Sequence, residues 1–363
     1  MRIAQVAPLY EAVPPRLYGG TERIVSYLTE GLVRRGHEVT LFASGESQTA
    51  ARLVAARPRA LRLDPGLQSV IAAHLTMLHE IRERADEFDL IHVHLSHFIH
   101  FPILADVAEK TVTTPHGRLD YADLPGAYAC WPFFPMISIS MRQRQPLRNA
   151  RWVGNVYHGL PMELYPRRPR GDGGYLAFLG RMSRDKRPDR AIEIARRSGM
   201  KLKIAAKIEG DDDRYFNETI KPLLGPDVEF IGEVDEKTKA GFLSNAAALL
   251  FPIDWPEPFG LVVIEAMAFG VPVVAWRQGA MPEIVDEGET GFVVDSIEAA
   301  VEAVTRCDGL DRDHIRQVFE RRFSAERMIS DYEAVYRTLA GTDRNPAGEA
   351  GSFAGSERLR EMR

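Results

Sequence analysis

The feature that most constrains this chain is a rhythm that runs, breaks and begins again. "RIAQVAP" reads as a short buried strand, "GGTERIVSYLTEGLVRRG" as a helix closed by Gly36, and "EVTLFA" as a second strand. Gly36 suits the left-handed position that ends a helix. "DLIHVHLS", "TVTTPHG" and "PMISISM" are further strands running into loops. Then "RRPRGDGG" at residues 167–174, rich in Pro, Gly and charge, marks a linker. The alternation restarts with "GYLAFLGRMS" and the amphipathic helix "RPDRAIEIARRSG", followed by strands "KLKIAA", "VEFIG", "AALLFP" and "PVVAW". Alternation of this kind demands parallel sheets covered on both faces, so two doubly wound, Rossmann-like α/β domains are expected. Their extents read as residues 1–157, a hinge at 158–174, and residues 175–322. A last helix at 323–340 returns toward the first domain, and a tail at 341–363 is expected to be disordered. In open sheets of this class ligands sit beyond the carboxyl ends of the strands, which puts the site in a cleft between the halves.

The bulk numbers agree and exclude alternatives. A chain of 363 residues is longer than one core usually serves. Its net charge of −5 argues against general nucleic-acid binding. Cys130 and Cys307, far apart, form neither a disulfide framework nor a zinc ribbon, which fits a reducing cytoplasm. The N-terminus lacks the apolar core of a secretory signal. No stretch approaches the roughly 18 apolar residues of a membrane span. Peripheral membrane attachment stays open, and the basic stretch at 141–151 could meet an anionic lipid or be a solvated helix face.

"WPEPFGLVVIEAMAFG" carries two carboxylates in an apolar setting, Glu257 between prolines and Glu265 within a helix that starts near Phe259 or Gly260. A buried carboxylate is costly without a partner. Glu265 could accept two hydrogen bonds from a vicinal diol such as a ribose, or sit in a structural Glu–Arg pair; spacing alone leaves both readings. The first amides of the helix suit phosphate or sugar oxygens.

Glu, seven residues, Glu, with Pro-Phe-Gly-Leu after the first, resembles the signature of the retaining glycosyltransferases of family 4, which have the two-domain GT-B fold. "YGGTERIVSYL", "TTPHG", "FLGRMSRDKRPDRAIEIA" and "RQGAMPEIVDEGETGFVV" extend the resemblance to about residue 338, in the family's order. Within the family the sequence is most similar to the antibiotic and exopolysaccharide sugar transferases. The resemblance implies that Arg181 and Lys186 clamp a donor diphosphate and that Gly19 and Gly20 let backbone approach it from the other domain. It places Glu257 and the amides of Phe259, Gly260 and Leu261 at the transferred sugar, Glu265 at a ribose, and His116 near the reacting centre. It implies a nucleotide-diphosphate sugar as donor, no cofactor and no metal, and front-face displacement with retention at the anomeric carbon. The acceptor would be a sugar, a lipid-linked saccharide or a small molecule. On this reading Glu265→Gln weakens donor binding while leaving the fold nearly intact.

Other residues invite weaker readings. His92, His94, His97 and His100 raise a metal site, but lack acidic or thiol ligands at matching spacing; cleft-lining or packing roles fit better. "EGDDDRY" reads as a solvated turn, and Arg184 and Arg187 as a solvated basic turn. Lys207 stands where relatives have a glycine-rich turn, and could touch donor phosphates or merely end its strand. His158 replaces a hinge Asn. A disaccharide phosphorylase of the same fold and a non-catalytic sugar-nucleotide binder are the rival functions.

Overall fold

The computed structural model describes residues 1–16, 19–64, 66–167, 173–210 and 212–341. Residues 168–172 of the expected linker and the expected tail from 342 onward lie outside the described residues.

Two parallel sheets carry the molecule. The first is built from β1 (Arg2–Val6), β2 (Glu38–Ser44), β3 (Arg52–Arg57), β4 (Leu90–Val93), β5 (Thr111–Thr113), β6 (Met136–Ser138) and β7 (Trp152–Asn155), in the order β3-β2-β1-β4-β5-β6-β7. The second holds β8 (Tyr175–Arg181), β9 (Lys201–Lys207), β10 (Val228–Gly232), β11 (Ala248–Phe251), β12 (Val273–Trp276) and β13 (Gly291–Val294), in the order β10-β9-β8-β11-β12-β13. Central strands such as β4 and β11 are buried along their whole length, as strands covered on both faces must be. The sequence reading missed β3, β7 and β13. β3 and β7 are edge strands only partly buried, with weak apolar patterning and a glycine inside β7. β13 is four residues long.

Strand order reverses at the β1/β4 pair in the first sheet and at the β8/β11 pair in the second. Such reversals open a crevice at the carboxyl edge, because the flanking connections depart to opposite faces. Both crevices open into the same interdomain cleft.

The chain crosses between the halves at adjoining points. The Leu160 N–H donates to Phe323 O at 2.8 Å, and the Ala325 N–H donates to Leu160 O at 2.9 Å. A Cβ on Gly159 would fall 2.2 Å from Ser324 O, so only glycine lets the two crossings touch. After the second crossing the helix Ala325–Leu339 lies on the first half. It buries Met328, Ile329, Tyr332 and Tyr336 against Ile24, Leu28 and Leu32 of the helix Gly20–Arg34 and against Ile3, Leu90 and Val112 of the sheet. The helices approach closely at Gly31, where a Cβ would meet Ile329 Cδ1 at 2.1 Å.

Candidate active site

Between the halves lies a cleft of about 1230 Å³, lined by all eleven residues named from the sequence as site residues. Single ligand pockets span roughly 300–1,000 Å³, so this space admits a donor together with part of an acceptor.

The second half brings Arg181, Lys186 and Lys207 to the cleft, with Glu209, Glu257 and Glu265 beside them. In the β8–β9 register Arg181 pairs with Lys207, which sets both at the carboxyl ends of neighbouring strands. Arg181 has no ion-pair partner among the described residues, whereas Lys207 lies 3.5 Å from Glu209. Lys186 Nζ donates to Glu257 Oε2 at 2.5 Å and sits 4.7 Å from the centre of the Trp255 ring. Trp255 Nε1–H donates to the same oxygen at 3.1 Å. Glu257 thus holds Lys186 in place and stands at the cleft. The flanking Arg187 is tied to Asp189 and Asp254, and Arg184 lies over the Tyr215 ring; neither lines the cleft.

Two helix N-termini meet across the cleft. The helix Leu261–Ala268 begins one or two residues later than the sequence suggested, because Gly260 precedes it at φ 90°. A side chain there would be strained and would press on Met281 Cε at 2.8 Å. Opposite, the helix Gly20–Arg34 begins so close that a Cβ on Gly20 would touch Leu261 Cδ1 at 3.4 Å. On Gly19 a Cβ would collide with Pro15 Cβ at 2.8 Å. Unsatisfied first-turn amides and the positive ends of both helix dipoles therefore converge on one place, an arrangement that suits an anion.

Glu265 has partners already. Only 2% exposed, it accepts from Arg23 Nη1–H at 2.6 Å, Lys239 Nζ–H at 2.7 Å and Tyr165 O–H at 3.2 Å. Burial pushes its carboxyl pKa up, but Lys239 and Arg23 outweigh burial and hold it below the usual range. Arg23 comes from the first half and Lys239 from the second, so this carboxylate ties the two halves together. The two readings left open by its spacing are not exclusive: Glu265 is a salt-bridged residue that lines the ligand cleft.

Besides Glu22 and Arg23, the first half brings a stack of uncharged rings to the cleft, with His116 lining it and His92 and His94 behind. His92 and His94 lie on one face with ring centroids 3.9 Å apart. His92 Nδ1 is 2.6 Å from the Tyr336 hydroxyl, and its Nε2 is 2.7 Å from Thr114 Oγ1. His94 spans Gln5 Oε1 at 2.7 Å and His116 Nε2 at 2.9 Å. His116 stacks on His158, centroids 5.1 Å apart and planes 13° from parallel, and His158 in turn meets the edge of Phe259. Burial drives the His116 pKa down to about 3 and holds His92, His94 and His158 well below the ordinary value. All four rings are neutral at physiological pH.

Comparison with known proteins identifies the scaffold. Residues 18–153 match the family model of Glycosyltransferase Family 4, and residues 166–307 match Glycosyl transferases group 1. The chain belongs to the family 4 glycosyltransferases. It is 26% identical to the phosphatidyl-myo-inositol mannosyltransferase of Mycolicibacterium smegmatis over 94% of this chain and 95% of that one. It is 32% identical to the N-acetyl-alpha-D-glucosaminyl L-malate synthase of Bacillus anthracis, over 32% of each chain. Among solved structures, AviGT4 of avilamycin A biosynthesis superposes with a TM-score of 0.70 at 26% identity, covering 94% of this chain and 98% of that one. Anabaena HepE in complex with UDP and glucose superposes at 0.69 with 18% identity, covering 94% and 99%; at that identity the likeness shows the GT-B fold alone.

Several residues of the glycosyltransferase's site escaped the sequence reading. Arg23 sits on an amphipathic helix and Lys239 on a short polar-fronted one, and both look like ordinary surface charges until the halves are brought together. Glu22, beside Gly19 and lining the cleft, is buried enough that its carboxyl pKa rises to about 6. Gln5 and Tyr336 lie 331 positions apart. One signal was available: Ile3–Gln5, Leu90–His92–His94 and Val112–Thr114–His116 each run from apolar to polar on one strand face toward the carboxyl edge. Of the remaining histidines, His100 is buried with its Nε2 2.8 Å from Thr113 Oγ1, and His97 lies exposed at the cleft. Among the described residues no group of three or more His, Cys, Asp or Glu is arranged to hold a metal ion, and no helix is long and apolar enough to cross a membrane. The acidic "EGDDDRY" stretch departs from a plain turn: Asp212–Tyr215 is helical and the Tyr215 hydroxyl donates to Asp189 at 2.7 Å, while residue 211 lies outside the described residues.

Proposed function

We propose that this glycosyltransferase moves a sugar from a nucleotide-diphosphate donor to an acceptor hydroxyl with retention of anomeric configuration. The observation that carries the reading is that Arg181, Lys186 and Lys207 and two facing helix N-termini line the same cleft. That combination would receive a diphosphate and stabilise the charge that grows on it as it leaves. Glu265 and its neighbours hold the ribose, Glu257 and the Phe259–Leu261 backbone meet hydroxyls of the transferred sugar, and His116 lies at the reacting centre. In the step proposed, the bond from the anomeric carbon to the diphosphate oxygen breaks. The acceptor oxygen bonds to the same carbon from the same face, and its proton passes to the departing phosphate. With cations from the protein around the diphosphate, no metal is required in this scheme. The acceptor is a sugar, a lipid-linked saccharide or a small molecule, and the mannosyltransferase relative makes a lipid-borne acceptor at the cytoplasmic membrane surface the first to try.

Thermal stabilisation by a panel of nucleotide diphosphates, inorganic phosphate and UDP-glucose tests the reading. A nucleotide at 100 times its dissociation constant contributes roughly 2.7 kcal/mol. Selective stabilisation by one nucleotide supports the donor site. A response to phosphate alone would indicate a phosphorylase instead, and donor binding with no turnover on any acceptor a non-catalytic binder.

A further inference from the structure

The histidine wall has a direction, and one residue outside the cleft sets it. His116 offers Nε2 to His94 Nδ1 at 2.9 Å, and its own Nδ1 is buried with no partner among the described residues. A buried N–H without an acceptor is rarer and costlier than a lone pair without a donor. The proton of His116 therefore belongs on Nε2, donating to His94 Nδ1. His94 must then carry its own proton on Nε2 and donate it to Gln5 Oε1 at 2.7 Å. With its Oε1 accepting from His94, the Gln5 amide turns its Nε2–H to the Tyr336 hydroxyl at 3.2 Å. Tyr336 in turn donates to His92 Nδ1 at 2.6 Å, and His92 Nε2–H donates to Thr114 Oγ1 at 2.7 Å. Each link of the relay from His116 to Thr114 then has one donor and one acceptor. If the Gln5 amide turned over, each bond would reverse, and His116 would expose an orphaned Nδ1–H.

We propose that Gln5 is a positioning residue: through His94 it fixes His116 as the Nε2–H tautomer, so that the buried Nδ1 carries a lone pair rather than an orphaned N–H. Gln5 touches no ligand-facing atom of the cleft and acts only through the relay. The helix Ala325–Leu339 contributes by holding the amide through Tyr336.

The test has two halves, and only the kinetic half rests on the proposed transfer reaction. Long-range proton–nitrogen spectra of ¹⁵N-histidine-labelled free protein report each ring's tautomer. His116 is expected as Nε2–H in the native protein, as Nδ1–H or a mixture in Gln5→Leu, and restored by Gln5→Glu, whose carboxylate still accepts from His94. With a donor and acceptor in hand, Gln5→Leu should lower kcat about tenfold through a misoriented His116, with donor KM unchanged. A purely structural role would instead move melting temperature and KM together. Native His116 protonated on Nδ1, or Gln5→Leu with an unaltered His116 tautomer, would overturn the proposal. Should Gln5→Leu not fold, Tyr336→Phe frees the amide and is expected to shift the tautomer in the same direction. The correct tautomer in a protein without transferase activity would count against the functional reading and leave the relay standing.

Discussion

The carboxyl edges of the two sheets end in opposite chemistries. The second sheet delivers Arg181 and Lys207 side by side, with Lys186 close by, all at the cleft. The first delivers Gln5 and His92 and, just beyond β4 and β5, His94 and His116, all uncharged and joined in one hydrogen-bond relay through Tyr336. The same topology therefore supports a charged rim and a neutral one. The difference follows from what each must face: a leaving diphosphate accumulates negative charge, whereas groups around a transferring sugar must orient hydroxyls without capturing the proton or attracting water.

The contrast can be broken at the charged rim first. Lys186→Ala and Arg181→Ala are each expected to lower kcat/KM by about 10²–10³-fold, the range for deleting one preorganised electrostatic partner, with little change in unfolding midpoint for Arg181→Ala and a lowered one for Lys186→Ala, which leaves Glu257 without its counter-charge. Steady-state kinetics at saturating acceptor reads this; a loss below fivefold would remove the diphosphate assignment. Next comes Glu265, where the structure revises the expectation of a nearly intact fold. Glu265→Gln leaves Arg23 and Lys239 without their buried counter-charge, so destabilisation of about 3 kcal/mol in urea unfolding is expected besides weaker donor binding.

The neutral rim predicts a pH dependence. A histidine whose folded pKa is depressed binds fewer protons than the unfolded chain below pH 6.5. The stability it supports is full above about pH 6.5 and is lost as pH falls toward 3. Glu265, depressed as well, adds to the loss below its ordinary value of 4.5. Glu22, raised to about 6, works the other way between 4.5 and 6, but it stands against several buried histidines. The urea midpoint should therefore fall steadily on acidification from pH 7 to 5; a flat profile would mean that the rings are not held neutral. The smallest effect expected is at Lys207, already near Glu209: Lys207→Ala should raise donor KM about threefold or less, measured with the same assay.

The charged rim was legible because its residues lie close together in sequence. Arg181 and Lys186 follow one strand, and Glu257 to Glu265 fall within one loop and helix, so motif and local geometry coincide. The alternation of strands and helices likewise revealed both parallel sheets, with only the short β13 and the weakly patterned edges β3 and β7 escaping. The neutral rim was legible only in part: His92, His94 and His116 stood out on their strands, but Gln5 and Tyr336 join them only after three adjacent strands and the last helix have packed. Glu265 shows the limit most plainly. Its spacing announced a carboxylate in an apolar helix, but Arg23, 242 positions away, could be named only once the halves faced each other.

The return of the helix Ala325–Leu339 to the first half also has a consequence for synthesis. A ribosome that has released residues 1–157 has made every strand of the first sheet, yet the hydroxyl that holds Gln5 arrives only with residue 336. The first half is left with an uncovered apolar face over Ile24, Leu28 and Leu32 until residues 325–339 have been made. Nascent chains stalled before residue 325 should therefore be held by chaperones and remain inactive, however well their second half has folded.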